Sequence, residues 1–327
     1  MRYTASEKME IIQLVEASHL PLKRTLEQLS ITRSTWYNWY ERFLDGGVDG
    51  LEDQRPIPKS VWNKISAPVR EAVIKLALEE TELSPRELAV TFTERQNSYI
   101  SESSVYRILK AAGLITSPAF ILMKAADKFQ NPTTAVNQLW QTDFTYLKVI
   151  GWGWFYLSTI LDDYSRYIVA WKLCTGMTSK DTADTLDLAL SKTGFDNVKV
   201  RNRPRLLSDN GPSYVSSELA DWLQEHGIEH TRGRPYHPQT QGKIERWHRS
   251  LKNQILLENY YLPGELKLRI EEFITYYNTR RYHESLNNLT PEDVFLGRGN
   301  AILEKRQAIK LKTMAKRKRL HQKAMAA

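Results

Sequence analysis

At 327 residues, with 41% hydrophobic residues and 10% aromatics, the chain has a globular composition and room for two or three domains rather than one ordinary core. No uninterrupted apolar run approaches the roughly 18 residues that a membrane-spanning helix needs, and the one cysteine, Cys174, excludes an internal disulfide and a cysteine-rich zinc site. The net charge of +8 is carried by one end: residues 301–327 hold nine Lys and Arg against one Glu, leaving 37 basic and 37 acidic residues elsewhere.

The N-terminus lacks the apolar stretch of a secretory signal, so a reducing cytoplasm is the expected setting. Thr4-Ala5-Ser6-Glu7 reads as a capping box, in which the Thr4 hydroxyl and the Glu7 carboxylate each satisfy a backbone amide of the other, and a helix is expected to start there. A short second helix is expected over Leu22 to Leu29. A third starts near Thr32 and sets Trp36, Trp39, Tyr40 and Phe43 on one face, opposite Ser34, Asn38 and Arg42, before Gly46 and Gly47 end it.

After the proline-containing linker Arg55-Pro56-Ile57-Pro58-Lys59 the plan returns. Helical spacing runs from about Pro68 to Leu78, Ser84-Pro85-Arg86-Glu87 is a second capping box with Leu83 and Leu88 placed as a staple, and a helix from Ser101 repeats Val105, Ile108, Leu109 and Ala112. Both three-helix units have the proportions of a helix-turn-helix, with Arg33, Ser34, Thr35 and Asn38, then Ser101, Ser103 and Ser104, as candidate readers of base edges. Ordinary trihelical bundles would have the same proportions. Leu114 to Val136 shows little pattern and reads as a linker.

Beyond Asn137 the period changes to two. Trp140, Thr142, Phe144 and Tyr146 share one face of a strand and Gln141, Asp143 and Thr145 the other, which leaves Asp143 mid-strand, where aspartate is disfavoured without a reason. Turns at Gly151-Trp152-Gly153 and Asp162-Asp163-Tyr164-Ser165-Arg166 complete a three-stranded antiparallel meander, and the Asp162-Asp163 pair reads as turn rather than metal ligand. A helix from Ser179 to about Lys192, stopped by Gly194, leads to the short strand Arg205 to Ser208. Asp209 follows that strand at its carboxyl end, where open α/β sheets place ligands. A helix over Glu218 to Glu225, a strand over Ile228 to Thr231 and the loop Arg232 to Gly242 come next, with His230 and His237 read as DNA-facing or solvated.

The helix opening near Lys243 buries Ile244, Trp247, Leu251 and Ile255, and sets Glu245, His248, Arg249 and Lys252 on the opposite surface, a carboxylate beside potential phosphate-binding groups. Leu266, Ile270, Phe273, Ile274 and Tyr277 align on a later core helix. The basic end, Lys316-Arg317-Lys318-Arg319 and neighbours, suits phosphate contacts; a solvated helix or frayed tail would carry the same charge. These readings divide the chain into a helical DNA-binding unit (1–50), a linker (51–65), a second such unit (66–113), a linker (114–136), an α/β core (137–260), a helical extension (261–300) and a basic tail (301–327).

Four stretches, Trp140-Gln141-Thr142-Asp143-Phe144-Thr145-Tyr146, Leu161-Asp162-Asp163-Tyr164-Ser165-Arg166, Ser208-Asp209-Asn210-Gly211 and His237-Pro238-Gln239-Thr240-Gln241-Gly242-Lys243-Ile244-Glu245-Arg246, resemble the insertion-sequence transposases and retroviral integrases of the DDE superfamily. Thirty-five residues separate Asp209 from Glu245, an interval characteristic of that family, and the likeness continues through Tyr276 to Leu286 and Leu289-Thr290-Pro291, about half the chain. The resemblance implies a multidomain protein, an all-α helix-turn-helix front before a ribonuclease-H-like catalytic core with a mixed five-stranded sheet. It implies Asp143, Asp209 and Glu245 as catalytic metal ligands, two Mg²⁺ ions for which Mn²⁺ substitutes, and Lys252 against the transposon end. Lys243, His248 and Arg249 are further candidate DNA contacts.

The implied activity is transposition: binding of terminal inverted repeats, 3′-end cleavage and strand transfer into target DNA, by a homodimer or larger assembly on double-stranded DNA in a bacterial cytoplasm, nucleoid-associated. A structure-specific nuclease and a catalytically silent, transposase-derived DNA-binding regulator are the alternatives. The family's zinc-binding front module, present in retroviral integrases, is excluded here by the single cysteine.

Overall fold

The computed structural model describes residues 3–52, 61–115, 133–196, 203–233 and 242–326, which fall in two compact units, Met1–Lys64 and Ile65–Ala327. Among the described residues no helix is long and apolar enough to cross a membrane.

In the first unit, α1 (Ala5–Glu16), α2 (Leu22–Gln28) and α3 (Arg33–Gly50) enclose Ile12, Leu26, Ile31, Trp36, Trp39 and Leu51. The Thr4 and Glu7 capping box forms, with the Thr4 amide donating to Glu7 Oε2 at 2.6 Å and the Glu7 amide to Thr4 Oγ1 at 3.3 Å. Trp36 stacks on Tyr40 with centroids 4.7 Å apart, because positions four apart share a helix face. The glycine stop is a kink rather than an end: Gly47 takes φ +62°, open to glycine without steric cost, and helical backbone resumes to Gly50.

The second unit opens with α4 (Ala67–Glu79), α5 (Pro85–Gln96) and α6 (Glu102–Ala111), packed around Val73, Leu88, Phe92, Ile100, Val105 and Leu109. The sheet comprises β1 (Leu139–Val149), β2 (Gly153–Asp162), β3 (Ile168–Cys174), β4 (Arg205–Ser208) and β5 (His230–Arg232), in the order β3-β2-β1-β4-β5. β1, β2 and β3 pair antiparallel, whereas β4 runs parallel to β1 and β5 parallel to β4, so the sheet is mixed and five-stranded, as expected of a ribonuclease-H-like core. The last strand is shifted from its expected span: Ile228 is buried against the helices, and pairing starts at His230.

Both faces of the sheet are covered. Trp140, Ile160 and Val169 pack under α7 (Ser179–Thr193), α8 (Pro212–Val215) and α9 (Ser217–Glu225), whose Leu186, Tyr214 and Leu223 complete that layer. Leu147, Leu157, Leu161 and Ile168 pack under α10 (Gly242–Ile255) and α11 (Pro263–Thr279), through Ile244, Trp247, Ile270, Phe273 and Tyr277. Asn278 of α11 grips the start of β3, its Oδ1 accepting from the Ile168 amide at 2.9 Å and its Nδ2 donating to the Ile168 carbonyl at 3.1 Å. The chain closes with α12 (Pro291–Phe295) and α13 (Gly299–Ala326). The basic end is therefore 28 residues of helix rather than a frayed tail, and it docks on α5 through the buried Ile309 and Thr313.

Candidate active site

The parallel register of β1 and β4 sets the geometry. Gln141 pairs with Leu207, so Asp143 on β1 and Asp209, the residue that follows β4, each stand two residues beyond the same rung and are level in register. Pairing between the two strands ends at that rung, which opens the sheet where both carboxylates emerge.

Asp143 Oδ1 accepts from its neighbour's amide, Phe144, at 2.8 Å, and Oδ2 lies 3.5 Å from His248 Nδ1. Asp209 Oδ1 accepts from the Gly211 amide at 2.8 Å, and a Cβ at Gly211 would lie 3.0 Å from that oxygen, a tight contact that glycine avoids. Partial burial raises the Asp209 pKa, the Gly211 amide opposes the shift, and the Asp143 charge adds to it. Among the described residues neither carboxylate is ion-paired with Lys or Arg. Hard oxygen donors that repel one another and lack a protein cation fit a divalent ion such as Mg²⁺.

Glu245 is exposed in the first turn of α10. Two contacts pin that turn: the Ile244 amide donates to Gln141 Oε1 at 3.2 Å, and Lys243 Nζ meets Asp163 Oδ2 at 2.5 Å. Gln141 Nε2 also donates to Asp163 Oδ1 at 2.7 Å, so Gln141 and Asp163 act together as positioning residues for the helix that carries Glu245. Among the described residues no three His, Cys, Asp or Glu side chains converge into a ready metal cluster. Asp143 and Asp209 are brought together, and Glu245 is held on the adjoining helix.

Several candidate DNA contacts are placed differently from their sequence reading. Lys243 is committed to Asp163 in a largely buried ion pair, because the first turn of α10 faces the sheet, so it is not an open phosphate ligand. His248 is buried against Asp143 rather than exposed beside Glu245, and among the described residues its Nε2 has no hydrogen-bond partner. Arg249 is exposed, while Lys252 lies with Nζ 4.1 Å from the centroid of the Tyr146 ring, a cation–π contact. His230 joins the sheet, its Nε2 2.8 Å from Ser208 Oγ, and burial lowers its pKa. His237 lies outside the described residues.

At the helical units, Arg33, Ser34 and Asn38 are exposed at the start of α3, whereas Thr35 is half-buried with Oγ1 2.7 Å from the Thr32 hydroxyl. Ser101 caps α6 by accepting from the Ser104 amide, and its hydroxyl lies 2.9 Å from that of Ser104 and 3.2 Å from that of Ser103, of which Ser103 alone is exposed. Lys316, Lys318 and Arg319 are exposed on α13, but Arg317 is turned inward and donates to the Tyr99 carbonyl at 2.7 Å.

Asp162 and Asp163 form the turn after β2. Asp162 Oδ2 accepts from the Ser165 amide at 2.8 Å and hydroxyl at 2.6 Å, and its Oδ1 accepts from the Asn137 amide at 2.7 Å. The roles of Gln141 and Asp163 were not read from sequence. Alternation sets Gln141 on the polar face and Asp163 in a turn, and neither position signals the burial that the structure gives both.

Residues 133–238 and 226–291 match integrase core domain families, and residues 2–52 and 35–109 match homeodomain-like domain families. The chain is 29% identical over 164 residues to the transposase for insertion sequence element IS904 of Lactococcus lactis subsp. lactis (strain IL1403), covering 49% of this chain and 62% of that protein. It is 30% identical over 159 residues to the putative transposase InsK for insertion sequence element IS150 of Escherichia coli (strain K12), covering 48% and 54%. The chain thus spans little more than half the length of these curated relatives. Among solved structures, the HTLV-2 integrase catalytic core domain in complex with magnesium aligns at 22% identity and a TM-score of 0.40, over 49% of this chain and 97% of that one. The chain thus carries an integrase core domain match behind homeodomain-like matches, and over about half its length it is similar to insertion-sequence transposases.

Proposed function

We propose that the protein is a DNA transposase, which binds the terminal inverted repeats of its element and catalyses divalent-metal-dependent 3′-end cleavage and strand transfer into target DNA. The observation that carries this reading is the level placement of Asp143 and Asp209 at the open end of β1 and β4, with no Lys or Arg among the described residues neutralising either. Asp143 and Asp209 hold Mg²⁺, with Glu245 completing the ligand set from α10. Two Mg²⁺ ions, or Mn²⁺ in their place, supply activation of the attacking hydroxyl and charge stabilisation at the phosphate.

The chain's own groups bind and orient. Arg249 and Lys252, one and two turns beyond Glu245, hold the DNA backbone beside the acids. Arg33, Ser34 and Asn38 on α3, and Ser103 on α6, are the side chains available to base edges. The first helical unit and the α4–α6 helices then serve DNA binding, and the sheet with its covering helices serves catalysis. Two element ends must be held at once, so the working species is a dimer or larger assembly, acting on DNA in the bacterial cytoplasm.

The test is a strand-transfer assay with Mg²⁺, labelled DNA carrying the ends of the encoding element and a plasmid target, comparing wild type with Glu245→Gln. Joined products that vanish in the variant support the proposal. Nicking without joining would instead indicate a structure-specific nuclease, and retarded DNA with neither product a DNA-binding regulator.

A further inference from the structure

The C-terminal helix carries two stripes that the reading of the catalytic centre does not use. Ile302, Arg306, Ile309, Thr313 and Arg317 follow one another at spacings of three and four and form its docked side, with Ile309 and Thr313 each 8% exposed. That side grips the turn of the second helix-turn-helix. The Tyr99 amide donates to Thr313 Oγ1 at 3.0 Å, Arg317 donates to the Tyr99 carbonyl at 2.7 Å, and Lys310 Nζ lies 5.3 Å from the centroid of the Tyr99 ring. Arg306 anchors the other end, its Nη2 2.6 Å from Glu94 of α5. Both backbone polar groups of Tyr99, two residues before the Ser101 cap of α6, are thus held by α13 rather than by the turn itself.

The second stripe is Lys305, Lys312, Lys316, Arg319 and Lys323, all exposed. At 3.6 residues per turn these positions fall within about 60° of one line, about a quarter turn from the docked side, and span roughly 27 Å of helix axis. None is in an ion pair among the described residues, and the helix holds a single acid, Glu304. Arg107 and Lys110 add exposed positive charge on α6. A straight row of unneutralised cations has the charge and length to follow a phosphate backbone.

We propose that α13 is a working part of the second helix-turn-helix unit: its docked side fixes the turn that aims α6, and its lysine stripe continues the unit's surface along the backbone of duplex DNA. This rests on the reading of the protein as a DNA-binding transposase and assigns end recognition partly to its C-terminus. The stripe contributes affinity without sequence preference, since phosphate contacts position and base contacts specify. The clamp on Tyr99 contributes preference for the element's end.

The two halves separate by fluorescence anisotropy of the full chain, titrated over a range of salt against an element-end duplex and a random duplex of equal length. Replacing Lys312, Lys316 and Arg319 together by Gln, which keeps helix propensity, is expected to lower the slope of log K against log salt by about 2 to 3 on both duplexes, at about 0.9 per contact. The preference for the end is retained. Thr313→Val is expected to keep the slope and lower the end preference by about fivefold, the scale of one lost hydrogen bond.

An unchanged slope in a triple variant with wild-type circular dichroism overturns the DNA-facing stripe, and full end preference in Thr313→Val overturns the clamp. A wild type that shows these binding differences but no strand transfer would refute the transposase reading and leave this inference standing.

Discussion

Two pairs of aspartates, Asp162 with Asp163 at the end of β2 and Asp143 on β1 with Asp209 after β4, differ in how many of their oxygens are already satisfied. Asp162 and Asp163 are 0% and 3% exposed, and donors surround them: Asn137 and Ser165 for the first, Thr133, Gln141 and Lys243 for the second. Among the described residues Asp143 and Asp209 have one local backbone amide each, plus His248 at 3.5 Å from Asp143, and no Lys or Arg. Burial with full satisfaction makes a carboxylate part of the scaffold. Partial exposure with spare lone pairs leaves it available to a cation.

Catalysis is where the contrast should be largest. Asp143→Asn or Asp209→Asn is expected to lower strand transfer by about 10³-fold or more, since a metal-held charge is worth several kcal/mol at the transition state. Stability should move by no more than about 1 kcal/mol and DNA affinity should hold. Loss of DNA binding in both variants, measured by gel retardation, would show that these acids serve the fold or the DNA interface instead.

The scaffold pair should behave in the opposite way. Asp163→Ala leaves the Lys243 ammonium buried without its carboxylate and removes the partner of Gln141, at a cost of about 3 to 5 kcal/mol by urea unfolding. An Asp163→Ala protein of wild-type stability would break the comparison.

A smaller effect comes from the cationic surroundings of the same scaffold. His283 is packed edge-on against Tyr277, and burial, with the charges of Arg281, Arg166 and Arg86, lowers its pKa to about 3. The unfolded chain, with a histidine pKa of about 6.5, binds this proton first, so the contribution of His283 to stability is complete above about pH 6.5 and declines as pH falls toward 3. Urea midpoints across that window should fall less steeply for His283→Gln than for wild type. Parallel slopes would remove His283 from the account.

Local signals in the sequence sufficed for much of this. Strand alternation around Trp140 isolated Asp143, the short apolar run before Asp209 gave a strand end, and the Thr4 and Ser84 capping boxes marked helix starts that the structure contains. What alternation cannot give is which rungs meet, and so the level placement of Asp143 and Asp209 follows only from the β1–β4 register. Helical spacing likewise put His248 on the outer surface of α10, and Lys243 was a candidate DNA contact, but the start of that helix lies against the sheet, and long-range partners at Asp143 and Asp163 decide their fate. The docking of α13 was hidden because its inner side mixes Arg306, Thr313 and Arg317 with few apolar residues, and so lacks a hydrophobic period.

If Asp143 and Asp209 form the proposed cation site while their saturated neighbours do not, isothermal titration of Mg²⁺ with element-end DNA present should give saturable binding by the wild-type protein. Asp143→Asn and Asp209→Asn should each lose it while remaining folded. Wild-type binding curves in either variant would show that these carboxylates do not hold the ion.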